Sequence, residues 1–245
     1  MSNSRSHCAP CASRRDFVRA CAALAALAAG RNGRLAEAAQ AADGLPKVKL
    51  VGADGKPLAA GNLAVDENYV FLYPFASTPC LLLRLGAAPP NNIEGSGDKM
   101  TYKWPGGVGQ DKAVVAYSAI CAHAFTRDSK RTSFLTYSKD KNKISGNATA
   151  ITCCAHGSVY DPAAAAKVLA GPAPYALASI TLDWDSTSDE LSAAGLLGTP
   201  QFDQLFSTQK DDLIAEFGRG GFREQIAGQT VVVPIASFSQ DIIRC

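Results

Sequence analysis

Short runs of branched, aromatic and alternating apolar residues, cut by glycine, proline and asparagine, dominate the chain beyond its first forty or so residues. Lys47 to Val51, Tyr69 to Tyr73 and Cys80 to Leu85 read as strands, as does Ile180 to Asp185 further on. Two more apolar stretches, Ala113 to Tyr117 and Ala148 to Thr152, each run on into a cysteine–histidine pair. Residues 124–152 are rich in Lys, Arg, Asp and Ser around an alternating Phe134-Leu135-Thr136-Tyr137, which predicts an inserted hairpin or loop. After residue 198 the period changes. Phe202, Leu205, Phe206, Leu213, Ile214 and Phe217 recur at helical spacing, and Thr230 to Ile235 reads as a strand interrupted by Pro234. The pattern predicts an all-β domain over residues 42–198 followed by an extension over 199–245. That extension is either a docking arm for a partner subunit or a helix and strand packed on the domain. At 245 residues and 47% hydrophobic composition the chain is long and apolar enough for one β domain with trimmings.

The amino-terminal stretch has a different character. Ser13-Arg14-Arg15-Asp16-Phe17-Val18-Arg19 precedes an alanine- and leucine-rich run from Ala20 to Gly30. This is the pattern of a twin-arginine export signal, assigned to residues 1–41, with cleavage expected after Ala38 or Ala41. A spanning helix needs about 20 predominantly apolar residues, and this run is shorter. The expected location is the periplasm, with membrane contact at most through an uncleaved amino-terminal segment. The formal charge is +2, but residues 1–41 carry six arginines and two acids, so the remainder is slightly acidic. No basic field points to nucleic acid or anionic lipid. Phosphate loops, dinucleotide fingerprints and serine–histidine–acid sets are absent from the sequence.

The candidate chemistry lies in Cys121-Ala122-His123 and Cys153-Cys154-Ala155-His156-Gly157-Ser158-Val159-Tyr160-Asp161. The chain has three histidines in all, and two stand in these boxes. A Cys2His2 zinc site usually shows C-x2-4-C and H-x3-5-H spacings, which mixed C-x-H and C-x-x-H pairs do not match. The inventory of two thiols and two imidazoles is the one a Rieske [2Fe-2S] centre needs. From about Tyr69 to Trp184 the chain resembles the Rieske iron–sulfur family, on the strength of C-x-H, C-x-x-H and the G-S-x-Y-D that follows.

That resemblance implies an antiparallel β-sandwich base domain with an inserted cluster-binding part, about 115–178. Cys121 and Cys153 would hold a buried iron, and His123 and His156 an outer, solvent-facing one. Ser158 would give a hydroxyl bond to a bridging sulfide and Tyr160 a phenol bond to the Cys153 sulfur. Gly171-Pro172-Ala173-Pro174-Tyr175 resembles the family's proline loop, with Pro172 and Pro174 covering the cluster. C-x-H also describes Cys154 to His156, so the spacing leaves two cysteines open as ligand; Cys153 is taken because it alone completes C-x-x-H. The cysteines that clamp the two cluster loops in many relatives are replaced by Thr126 and Ala155, so that clamp is expected to be absent. Outside the boxes and the signal segment remain Cys80 and Cys245, and two of Cys80, Cys154 and Cys245 can pair in an oxidising compartment.

Tyr69-Val70-Phe71-Leu72-Tyr73-Pro74, Ser77-Thr78-Pro79-Cys80, Arg84-Leu85-Gly86 and Gly106-Gly107-Val108-Gly109 resemble the small Rieske subunit of arsenite oxidase. The resemblance implies a one-electron carrier with no substrate chemistry of its own. It would serve a large molybdopterin subunit and pass electrons to a periplasmic cytochrome or copper protein. The alternative is the Rieske iron–sulfur subunit of a cytochrome bc complex. A Rieske oxygenase also needs a mononuclear iron held by two histidines and a carboxylate, and only His7 is left over.

Overall fold

In the computed structural model, residues 44–245 are described, and the segment read as a twin-arginine signal lies outside them. The described chain is mainly β, as its pattern predicts. Its strands are β1 (Val48–Val51), β2 (Asn68–Leu72), β3 (Pro79–Arg84), β4 (Ile93–Gly97), β5 (Met100–Trp104) and β6 (Val114–Ser118). Then come β7 (Thr132–Ser133), β8 (Leu135–Ser138), β9 (Ala150–Cys153), β10 (Ser158–Asp161), β11 (Lys167–Ala170), β12 (Ser179–Trp184) and β13 (Leu191–Leu197). The last three are β14 (Gln229–Val231), β15 (Val233–Pro234) and β16 (Asp241–Ile242).

Eight strands form the base sheet in the order β14-β1-β13-β12-β6-β3-β2-β15. Its two edge strands, β14 and β15, are separated in sequence by Val232 alone. A residue of extended chain spans only about 3.3 Å, so the sheet must curl until its edges nearly meet. The physical cause is visible in the interior strand β3. In β3, Leu81 and Leu83 enter one apolar cluster while Cys80 and Leu82 enter a second on the opposite face. A strand buried on both faces reads as a continuous hydrophobic run rather than an alternation. Burying each such leucine contributes about 1.5–3 kcal/mol. The interruption predicted at Pro234 is a change of edge: residues 229–231 run parallel to β1, whereas Val233 and Pro234 pair with β2.

Strands β6 and β12 are neighbours in the sheet, paired at Tyr117 and Ser179. The chain between them forms a smaller subdomain around the four-stranded sheet β11-β10-β9-β8. This insertion hangs on the base sheet through buried aromatic residues. Tyr117 donates to the Pro162 carbonyl at 2.6 Å, and Trp104 stacks on Tyr117 with ring centroids 6.4 Å apart. Trp104 belongs to the β4–β5 hairpin, which the sequence pattern did not disclose: Glu94, Lys103 and two glycines dilute its apolar positions.

Residues 199–245 pack on the domain. Helices Phe202–Thr208 and Lys210–Phe217 bury Leu205, Phe206 and Leu213 against Ile120 and Phe222. Strand β16 pairs in parallel with β7, inside the segment that joins the two boxes. A disulfide joins Cys154 to Cys245, with Cα atoms 5.7 Å apart. Among the described residues no helix is long and apolar enough to cross a membrane.

Candidate metal centre

Both boxes sit where a strand gives way to a loop. The first follows β6 and is closed by a backbone bond from Cys121 to the Thr126 carbonyl at 2.8 Å. The second is the tight connection between β9 and β10, where Cys153 lies directly opposite Ser158 and the Gly157 amide returns to the Cys153 carbonyl at 2.9 Å. Gly157 has φ +79°, in the left-handed region that favours glycine. The two hairpin ends therefore present their boxes side by side.

Cys121 and Cys153 are fully buried, while His123 and His156 are exposed. The two imidazole rings meet edge to face with centroids 4.8 Å apart. The nearby Cys153 thiol and His123 amide favour the charged form of Cys121, and the Ala155 and His156 amides favour that of Cys153. The contact with the Cys153 thiol, helped by the Tyr160 phenol and the His123 amide, pulls the Cys121 thiol well below its ordinary range despite burial. Cys153, which supplies that proton, is held protonated. Cys154 contributes no free thiol, because its sulfur is spent in the disulfide.

Tyr160 lies 3.2 Å from Cys121 Sγ, and with Cys121 as thiolate the phenol is the donor. This corrects the expectation that Tyr160 would bond the Cys153 sulfur. The register is the reason: Tyr160 stands opposite Ile151, not opposite Cys153. A bulge between Val159 and Tyr160 on the β11 side also re-aims the ring toward the first box. Burial and the neighbouring Cys121 charge push the Tyr160 phenol far above its usual range. Ser158 Oγ, the other expected donor, is buried without a hydrogen-bond partner. An orphaned hydroxyl in a protein interior costs about 1–3 kcal/mol and is most often answered by an ion, water or ligand.

The proline loop follows β11 and closes on the second box. Gly171 has φ +90°, and a Cβ there would overlap the Gly157 carbonyl oxygen and lie 2.6 Å from Ser158 Cα. Ala173, between Pro172 and Pro174, is buried in the same cluster as Cys121, Cys153 and Tyr160. The prolines themselves are exposed.

The donor set divides into a sulfur pair and a nitrogen pair. Among the described residues no three His, Cys, Asp or Glu side chains are gathered to hold one metal ion. A tetrahedral zinc, with four ligands on one centre, does not match that division. Two metals, each taking one pair, do match it. The residues fit a [2Fe-2S] group.

Sequence reasoning did not find Asp128. It is buried seven residues past Cys121, and Oδ1 accepts the Phe134 and Leu135 amides at 2.7 and 2.9 Å. Burial raises its carboxyl to about 7 in spite of those bonds and of Arg127. An aspartate in a charged, loop-like stretch carries no sequence signal of burial.

No family model matches the chain. Among solved structures it is similar to the soluble domain of the Rieske protein II (soxF) from Sulfolobus acidocaldarius, at 23% identity and a TM-score of 0.45, over 65% of this chain and 84% of that one.

Proposed function

We propose that Cys121, His123, Cys153 and His156 hold a Rieske [2Fe-2S] cluster and that the protein is a one-electron carrier. The observation that carries this reading is the arrangement itself: two buried cysteines, one of them 3.2 Å from the Tyr160 phenol, and an exposed pair of adjacent imidazoles. When bound, such a cluster supplies a one-electron couple, raised above that of all-cysteine clusters because imidazoles replace two thiolates. The chain's part is to keep the thiol side dry, to direct amide and hydroxyl donors at it, and to leave the imidazoles open to an electron partner. Tyr160 donates to Cys121 on the buried side, Ser158 would donate to the bound group, and the loop bearing Pro172 and Pro174 shields the flank.

The small subunit of an arsenite-oxidase-like molybdopterin oxidoreductase is the role that best accommodates these features together with the strand motifs from Tyr69 to Gly109 and the twin-arginine segment. In that role the protein is exported to the periplasm, takes electrons from a large catalytic subunit and passes them to a cytochrome or copper protein. Iron and acid-labile sulfide analysis of the purified protein tests the cluster. Two of each per chain are expected, falling on substitution of Cys121, His123, Cys153 or His156. Zinc without labile sulfide would overturn the reading. Co-purification with a molybdopterin subunit tests the partnership, and co-purification with a cytochrome b would replace it by the cytochrome bc alternative.

A further inference from the structure

Neither box is fixed by the four-stranded sheet alone. Cys121 to Arg127 lies outside it, and of the second box only Cys153 and Ser158 are paired in it, with Gly157 closing the turn between them. Beyond their own local bonds, both boxes are contacted by one stretch of chain, residues 199–245. At the first box, Gln209, between the two helices, donates through Nε2 to the Phe125 carbonyl at 2.7 Å. Phe125 has φ +53°, a conformation its side chain does not favour, so an outside contact is needed to hold it. Two residues on, the buried Arg127 pairs with Glu216 and lies over the Phe217 ring, 5.6 Å from its centroid. Phe125 also packs on the cluster of Ile120, Leu205, Phe206 and Leu213.

The same stretch then follows the segment that joins the boxes. Backbone amides of Gln240, Asp241 and Ile243 donate to the carbonyls of Lys130, Arg131 and Ser133, each at 2.9 Å. Ser239 donates to the Ser129 carbonyl and accepts from Ser133. Just past that run, the Phe134 carbonyl accepts the Cys154 amide at 2.8 Å. The path ends in the Cys154–Cys245 disulfide, which closes a span of 91 residues at the position next to Cys153. A crosslink over so long a loop removes many open conformations from the chain.

We infer that residues 199–245 are a positioning strap that fixes the two boxes relative to each other, with Gln209 and Glu216 as its anchors on the first box and the Cys154–Cys245 bond as its anchor on the second. The inference rests on the cluster reading above for its consequence, which is how long a bound cluster is retained. The covalent anchor is open to reduction. A dithiol such as dithiothreitol gives up two electrons and two protons, the Cys154–Cys245 bond breaks to two thiols, and the reagent closes to its own disulfide.

The test uses the full-length, as-isolated protein and its Cys245→Ser, Cys154→Ser, double and Gln209→Met variants. Peptide mapping without reductant should find residues 154 and 245 joined; two free thiols there would overturn the covalent anchor. In mild denaturant, iron should be lost about tenfold faster from each cysteine variant, the change produced by about 1.4 kcal/mol off the barrier. The double variant should lose it no faster than either single one, because one bond is at stake. Dithiothreitol should speed the loss in the wild type and leave the double variant unaffected. The EPR line positions of the freshly isolated Cys245→Ser protein should match the wild type, because no ligand has changed.

Hydrogen exchange separates the strap from general loosening. Cys245→Ser should raise exchange over residues 153–158 and Gln209→Met over 121–127, with the amides of Leu81 to Leu83 unchanged in both. Wild-type iron loss and wild-type exchange in these variants would overturn the strap. If the protein carries no iron at all, the cluster reading fails, and the exchange comparison on the same chain still decides the strap.

Discussion

If the boxes hold the proposed cluster, Tyr160 and Ser158 are the side chains best placed to tune it. Tyr160 places a phenol 3.2 Å from Cys121 Sγ, and Ser158 offers a buried hydroxyl without a protein partner. A hydrogen bond to a charged acceptor is worth about 1.5–3 kcal/mol, and tenfold in a one-electron equilibrium is 59 mV. Tyr160→Phe and Ser158→Ala should therefore each lower the reduction potential by roughly 60–130 mV while leaving the iron content intact, as protein-film voltammetry would read. Unchanged potentials would mean that these hydroxyls do not favour the reduced state.

Asp128 makes a separate prediction. Its carboxyl is raised to about 7 in the folded protein, against about 3.9 in an unfolded chain. The native state then binds the extra proton more tightly, so its contribution to stability is full below about pH 4 and is lost as pH rises through 7. Denaturant unfolding of the wild type should show this loss across that window. Asp128→Asn keeps an oxygen for the Phe134 and Leu135 amides and should lack this part of the pH dependence.

Among the elements, the proline loop has the least tolerance. Gly171 combines a left-handed backbone with a space that the Gly157 carbonyl and Ser158 already fill. Gly171→Ala should cost more than the roughly 1–2 kcal/mol of a left-handed residue bearing a Cβ, because the loop must also lift off the second box. Thermal unfolding together with exchange over residues 157–158 would show it, and a wild-type melting temperature would refute it. The strands delivering the boxes were legible in the sequence to within about two residues, because each is an apolar run ending at a cysteine. The β4–β5 hairpin was not legible. Its two buried aromatic residues, Tyr102 and Trp104, sit among Thr, Lys and Gly, and their partners are far away in sequence. The helical spacing from Phe202 to Phe217 was visible, but not what it packs on, since Ile120 and Phe125 advertise nothing. Nor could spacing choose the disulfide. The pairing of Cys154 with Cys245 depends on a path along residues 129–133 that only the folded chain defines.

At the scale of the molecule, both cysteine–histidine boxes lie in an excursion between two adjacent strands of the curled eight-stranded sheet. If the boxes hold the proposed cluster, this placement would leave the exposed His123 and His156 rings open to an electron partner. If the protein works in the periplasm, as its amino-terminal pattern predicts, changing both Arg14 and Arg15 to lysine should leave cluster-loaded protein in the cytoplasm. Cell fractionation would check it, and undiminished periplasmic delivery would refute the export signal. Two thiols and two imidazoles are proposed to share one [2Fe-2S] cluster. EPR spectroscopy of the dithionite-reduced full-length protein tests it most directly. A rhombic signal with the low average g value of a histidine-ligated cluster, abolished in His123 or His156 variants and retained in Cys154→Ser, is the predicted result. A signal of the all-cysteine type, or no iron signal from protein that holds zinc, would contradict it.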